Sequence, residues 1–209
     1  MKCVLLSIQP YYCFLIIAKE MGWNIKEEKT IEVRKSFPQD KDWNKKVIIY
    51  CSQDRKSFSR IPNEYQPLME RFLGKVVGVF ICDGIDTYKH ITGYICYYDI
   101  KSDYDLILQN SCLTYKEFAN YGQGKTLYGW HISNLKIYDK PKELSEFKTP
   151  PCEKDENYCE KCKFLQIENT PFSYTSYCDR ENGKAITRPF QSWGYVEDIF
   201  LGKKVKGRN

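Results

Sequence analysis

Short, dense runs of β-branched and aromatic residues constrain this chain most. Lys46 to Cys51 (KVIIYC) and Lys75 to Cys82 (KVVGVFIC) are too short and too β-branched for helices, and Lys2 to Ile8 (KCVLLSI) has the same character. Roughly Ile91 to Tyr98 and the long stretch Tyr128 to Tyr138 continue the series. These segments predict a mainly β fold. Helices flank it: Pro10 suits the first turn of a helix through Tyr12, Leu15, Ile16 and Met21, and Asn63 to Leu73 has helical spacing at Tyr65, Leu68, Met69 and Phe72. Thr114 and Glu117 form a capping-box pattern ahead of a further helix through Phe118. The expected class is therefore α+β, mainly β with flanking helices.

Within 209 residues such a set of elements has room for one self-sufficient core and a small annex. The annex is marked by composition. At Pro150-Pro151 the apolar periodicity stops and a lysine- and glutamate-rich segment begins, carrying Cys152, Cys159, Cys162 and Cys178. Periodicity returns in Phe190 to Phe200 (FQSWGYVEDIF), which reads as a last strand rejoining the first sheet. The organisation expected is a main domain of residues 1–148 and 187–209, interrupted by an insertion over 149–186.

The insertion's cysteines have the arithmetic of a metal site. A Cys-x-x-Cys pair at Cys159 and Cys162 supplies two thiolates from one tight turn, and Cys152 and Cys178 complete a tetrahedral set. Four soft ligands favour Zn²⁺, and a closed shell makes the ion structural. An iron–sulfur cluster or a redox disulfide would use the same residues. The other six cysteines lie singly among apolar residues, the habit of small buried thiols.

The run Val4 to Ala18 is interrupted by Ser7, Gln9 and Pro10, so it has neither the length of a membrane span nor a leader's cleavage pattern. A cytoplasmic protein without a membrane partner is expected. A net charge of +5 permits an anionic partner without demanding one.

One predicted strand carries an unusual polar face. From Glu28 to Lys35, Ile31 and Val33 point one way while Thr30, Glu32 and Arg34 point the other, with Lys29 at the entrance able to swing toward them. An acid flanked by bases on a half-buried strand could hold a base edge and a phosphate, or polarise water. Cross-strand ion pairs on a solvent-facing strand would use the same pattern.

Together with Ser7-Ile8-Gln9-Pro10 at a strand end, the segment Glu28-Lys29-Thr30-Ile31-Glu32-Val33-Arg34-Lys35 resembles the ASCH domain of the PUA-like superfamily, whose signature is approximately G-x-K-x-x-E-x-R. Lys29, Glu32 and Arg34 match it, and the glycine does not. Leu127 to Tyr138 and Gln191-Ser192-Trp193 resemble later strands of that family. The resemblance implies a small β-barrel with helices at its edge and a cleft that handles RNA or modified nucleosides. It implies Ser7, Pro10, Lys29, Thr30, Glu32 and Arg34 as ligand-binding residues. His131 and Trp193 are further candidates, alongside Tyr11 and Ser133. Three functions follow as alternatives: an RNA- or nucleoside-binding module; a hydrolase in which Lys29 and Glu32 are catalytic; or a structural adaptor. Among hydrolases, an amidohydrolase acting on acetylated cytidine is disfavoured because Glu32 stands where a nucleophilic threonine is needed. A ribonuclease would use Lys29 against the phosphorane charge and Glu32 as general base.

Overall fold

A computed structural model describes residues 2–88, 101–150, 165–170, 173–178 and 184–198. The elements run β1 (Lys2–Ile8), α1 (Pro10–Ile17), β2 (Ile31–Arg34), β3 (Trp43–Cys51), α2 (Arg55–Phe58), α3 (Gln66–Glu70), β4 (Val76–Ile81), β5 (Ile85–Tyr88), α4 (Lys101–Ser111), α5 (Tyr115–Gly122), β6 (Leu127–His131) and β7 (Ser133–Lys142). After a 3₁₀ turn at Leu144–Glu146 come β8 (Leu165–Thr170), β9 (Ser173–Cys178) and β10 (Trp193–Glu197). The class is mixed α+β, with sheets predominating. No described helix is long and apolar enough to cross a membrane.

The strands make a five-stranded sheet in the order β10-β1-β3-β4-β7, a three-stranded sheet β2-β6-β5, and the hairpin β8-β9. Among the described strands the larger sheet ends at β10 and β7 and the smaller at β2 and β5, so the expected closure into a barrel is not seen among them. Among the described strands only β1 and β3 pair in parallel; the intervening chain crosses over through α1 and β2. The last strand pairs antiparallel with β1, Leu6 opposite Trp193 and Lys2 opposite Glu197.

The dense apolar runs are explained by burial of the larger sheet on both faces. Val4, Leu6 and Ile8 of β1, with Val47, Ile49 and Cys51 of β3, join α1 and Trp130 in the main core. Cys3, Leu5, Ile48 and Tyr50 pack on the opposite face against Leu144, Phe147 and Ile186. Gly78 is required where β4 meets β7, because a Cβ there would stand 2.5 Å from the Lys136 carbonyl oxygen.

Several expectations change. Tyr128 to Tyr138 is two strands in different sheets. The Ile132 N–H donates to the Thr30 carbonyl and Asn134 takes a left-handed φ of 48°, so the chain rolls from β6 into β7. The helix expected over Asn63 to Leu73 shrinks to Gln66–Glu70, because Pro67 confines the start to a first turn. Leu68 is consequently exposed while Met69 and Phe72 are buried. The Thr114–Glu117 capping box is present as expected, and α5 starts on it. Residues 91–98 lie outside the described set, as do Cys152, Cys159 and Cys162. Within the segment where apolar periodicity stops, Leu165–Thr170 and Ser173–Cys178 pair antiparallel as a hairpin.

Candidate functional site

The polar alternation of β2 survives, but its setting differs from the half-buried strand expected. All four residues of β2 are buried. Lys29, Glu32 and Arg34 are 3, 6 and 8 % exposed. The reason is topological: one face of β2 packs on Ile107, Phe118 and Leu127, and the other meets the core that contains Trp130. The three charged groups are thus an ion cluster inside the protein.

Its geometry is specific. Glu32 Oε1 lies 2.9 Å from Arg34 Nη2 and Glu32 Oε2 lies 3.2 Å from Lys29 Nζ. Arg34 Nη2 also donates to the Ser7 carbonyl at 2.6 Å, at the end of β1. Lys29 Nζ donates to the Ser111 carbonyl at 2.7 Å, and the Thr30 N–H donates to that of Asn110. These are C-terminal carbonyls of α4, where a cation is favoured by the orphaned acceptors and the helix dipole. Lys29 therefore ties the entrance of β2 to the end of a helix. Burial lowers its pKa below the ordinary lysine value, with Glu32 opposing the shift.

The cluster is not fully satisfied. Glu32 Oε2, Arg34 Nε and Trp130 Nε1 are buried without hydrogen-bond partners among the described residues, the first being an ion-pair contact outside hydrogen-bonding alignment. Trp130 stands opposite Glu32 in the β2–β6 register, so the two side chains share a face. An acceptor and two donors with unmet capacity consequently occur in one polar region of the core.

Tyr12 connects this region with the surface. Its ring lies 5.1 Å from Lys29 Nζ, and its hydroxyl donates to Glu117 at 3.3 Å and accepts from Arg60 at 3.3 Å. Arg60 pairs with Glu117 at 3.0 Å and covers the Tyr11 ring at 4.1 Å. Burial raises the pKa of both tyrosines. Burial opposes ionisation of Glu117, yet the Thr114 backbone and hydroxyl, Arg60 and Tyr12 outweigh it and hold the carboxyl below its ordinary value. Glu117, the N3 member of the capping box of α5, is thereby also the anchor of Arg60.

The remaining candidates disperse. Ser7 contributes its carbonyl, and Pro10 is buried as the first residue of α1. Thr30 lines a pocket of about 140 Å³ with Lys19, Glu28 and Asn134. His131 pairs with Ile31, so it faces away from Glu32; its Nε2 lies 2.8 Å from Asp86, which also accepts from the Tyr88 hydroxyl. Ser133 donates to the Ile81 carbonyl and does not join His131. Trp193 is a neighbour of the cluster through Trp130, 6.0 Å between ring centroids, and its Nε1 donates to Ser36. Sequence reasoning missed Arg60, which carries no local signal, and Trp130, which only the strand register could have placed opposite Glu32. Among the described residues no group of three or more His, Cys, Asp or Glu is positioned to hold a metal ion.

No protein-family model and no curated protein matches the chain. Among solved structures it is similar to the ASCH protein of Zymomonas mobilis, at 12% identity and TM-score 0.43 over 68% of this chain and 73% of that one. A serine-to-alanine mutant of that protein aligns at 12% identity and TM-score 0.44, covering 68% and 74% of the two chains. A tyrosine-to-phenylalanine mutant aligns at 13% identity and TM-score 0.45, covering 87% of this chain and 94% of that one.

Proposed function

We propose that the chain binds RNA or a modified nucleoside where Tyr11, Tyr12 and Arg60 adjoin the Lys29–Glu32–Arg34 cluster. The observation that carries this reading is the incompletely satisfied cluster, because buried polar atoms are ordinarily paired and exceptions concentrate at functional sites. Its unmet groups include both donors and an acceptor, the mixture that a base edge presents. Tyr11, half-buried beneath a guanidinium, offers a ring for stacking, and Arg60 offers a positive charge to phosphate. The sequence resemblance to the ASCH domain points to the same ligand class.

Calorimetric titration with cytidine, N4-acetylcytidine and a short single-stranded RNA tests the reading. Arg60→Ala is expected to weaken binding by at least tenfold while retaining the fold, since its only described partners are Tyr11, Tyr12 and Glu117 at the surface. If no probe binds, or if Arg60→Ala binds as the wild type does, the reading fails.

A hydrolase is the second reading, favoured by Lys29: a buried lysine with a lowered pKa beside a carboxylate is a common form of acid–base pair. Turnover of single-stranded RNA or acetylcytidine, lost in Lys29→Ala, would establish it.

We also propose that Cys152, Cys159, Cys162 and Cys178 hold one structural Zn²⁺. Support comes from the hairpin register: Leu165 pairs with Cys178, so β9 returns the chain to within three sequence positions of Cys162. The thiolate set suits zinc, and the ion would staple the hairpin's open end.

A further inference from the structure

The outer part of β7 forms a second candidate site, separate from the cluster around Glu32. β7 is an edge of the five-stranded sheet among the described strands. Alongside it runs an open groove of about 740 Å³. Val79, Ile137 and Tyr138 supply apolar and aromatic surface to it, while Lys136, Lys140 and Lys142 supply cations. Lys136 and Lys140 are exposed, and Lys142 Nζ lies 5.4 Å from the Tyr138 ring centroid. Lys46 also borders the groove, with its ammonium 2.6 Å from Asp198. Among the described residues, Asp139 is the acidic side chain that lines the groove.

Lysines on an edge strand are often a guard against edge-to-edge pairing. That role needs only charge along the edge. It does not call for a groove with an aromatic floor, and the combination of cationic rim and ring surface is the one used to hold single-stranded nucleic acid. Lys136 and Lys142 are six positions apart, about 20 Å of extended strand, which is the length of a few nucleotides. We propose that this groove binds the phosphate backbone of a single-stranded polynucleotide, with lysines on phosphates and Tyr138 against sugar or base. The inference shares its ligand class with the reading of the Tyr11–Arg60 site but uses different residues, so the two can fail separately.

The test is fluorescence anisotropy of the full chain with labelled oligouridylate and oligothymidylate of about 12 nucleotides, over a salt series. Both probes are expected to bind, because phosphate is common to them. Lys136→Glu/Lys140→Glu is expected to weaken both by more than about tenfold and to lower the log–log salt slope by about 1.4, two phosphates at roughly 0.7 each. Lys136→Gln/Lys140→Gln should reproduce the slope change with a smaller loss, and it serves if the charge reversal impairs folding. Both variants should bind free cytidine as the wild type does. Unchanged affinity and slope in the variants, or failure of either probe to bind the wild type, overturns the groove. So does binding to phosphatidylserine vesicles in place of oligonucleotide. Loss of cytidine binding with oligonucleotide binding intact would instead count against the Tyr11–Arg60 site alone and leave the groove supported.

Discussion

Glu32→Gln separates a surface ion pair from a buried one. The substitution preserves shape and one acceptor oxygen but removes the charge that neutralises Lys29 at 3.2 Å and Arg34 at 2.9 Å. On an exposed strand, as alternation alone suggests, the change would fall within about 0.5 kcal/mol. With all three groups less than a tenth exposed, it leaves two cations in the core without their counter-charge. Breaking a buried ion pair costs about 3–5 kcal/mol, and glutamine's residual acceptor places this variant near about 3. For a chain of this length, that is a fall of roughly 6–12 °C in melting temperature. Urea unfolding followed by tryptophan fluorescence, with calorimetry, measures it. In a double-mutant cycle with Lys29→Met, the coupling should be at least about 0.5 kcal/mol, since Lys29 is then no longer left uncompensated. A Glu32→Gln midpoint within about 0.5 kcal/mol of wild type, or strict additivity in the cycle, would refute the buried-cluster argument.

Stability should be flat through neutral pH and fall above pH 9, because burial raises the folded-state pKa of Cys3 from 9.0 to about 12 and of Cys82 to about 11. A raised thiol contributes stability that is complete below the unfolded value and lost as pH climbs toward the folded one. Lys29 acts oppositely, its lowered pKa favouring the native state as pH rises toward 10.5, but Cys13, Cys112, Tyr11 and Tyr12, also raised, act with Cys3 and Cys82; a urea midpoint that rises from pH 9 to pH 11 would contradict this balance. Mass spectrometry after brief native alkylation should show Cys112 modified ahead of Cys3, Cys13, Cys51 and Cys82, which are buried; early labelling of Cys13 would speak against the described packing of α1. Thr114→Ala removes the capping box of α5 and should cost about 1 kcal/mol, read as a melting temperature lower by roughly 2–4 °C. Elemental analysis of the purified chain is expected to find one zinc per molecule, with chelation freeing four thiols for titration; a metal-free preparation with the same thiols unreactive and paired would favour a disulfide.

Much of the framework was legible because strong local signals and tertiary packing agree. The runs at Lys46 and Lys75 are apolar on successive residues because both sheet faces are covered, and the Thr114 box acts through neighbours three residues away. The pattern Lys29, Glu32, Arg34 was likewise visible, since alternation fixes which side chains share a face. Its burial was not. Alternation is blind to what covers a face, and the covering elements here include Ser111 at the end of a helix that has only weak apolar periodicity. The break at Ile132 was hidden for a similar reason. Residues on both sides favour strand, and the hydrogen bond to Thr30 together with the left-handed Asn134 turns the chain from one sheet to the other. Arg60 joined the site through three-dimensional proximity to Tyr11, some fifty residues earlier in the chain.

The pairing of β1 with β10 has a consequence for synthesis on the ribosome. The first strand is complete by Ile8, but one of its edges waits for Trp193–Glu197. At typical translation rates of about 5–20 residues per second, the intervening chain takes roughly 10–40 s to emerge. Throughout that interval the β1 edge carries free backbone donors and acceptors next to a strand that is almost wholly apolar, the kind of nascent surface that chaperones cover and that mispairs with neighbouring chains. Yield in cells should therefore respond to translation speed and chaperone supply more than the finished fold's stability would suggest.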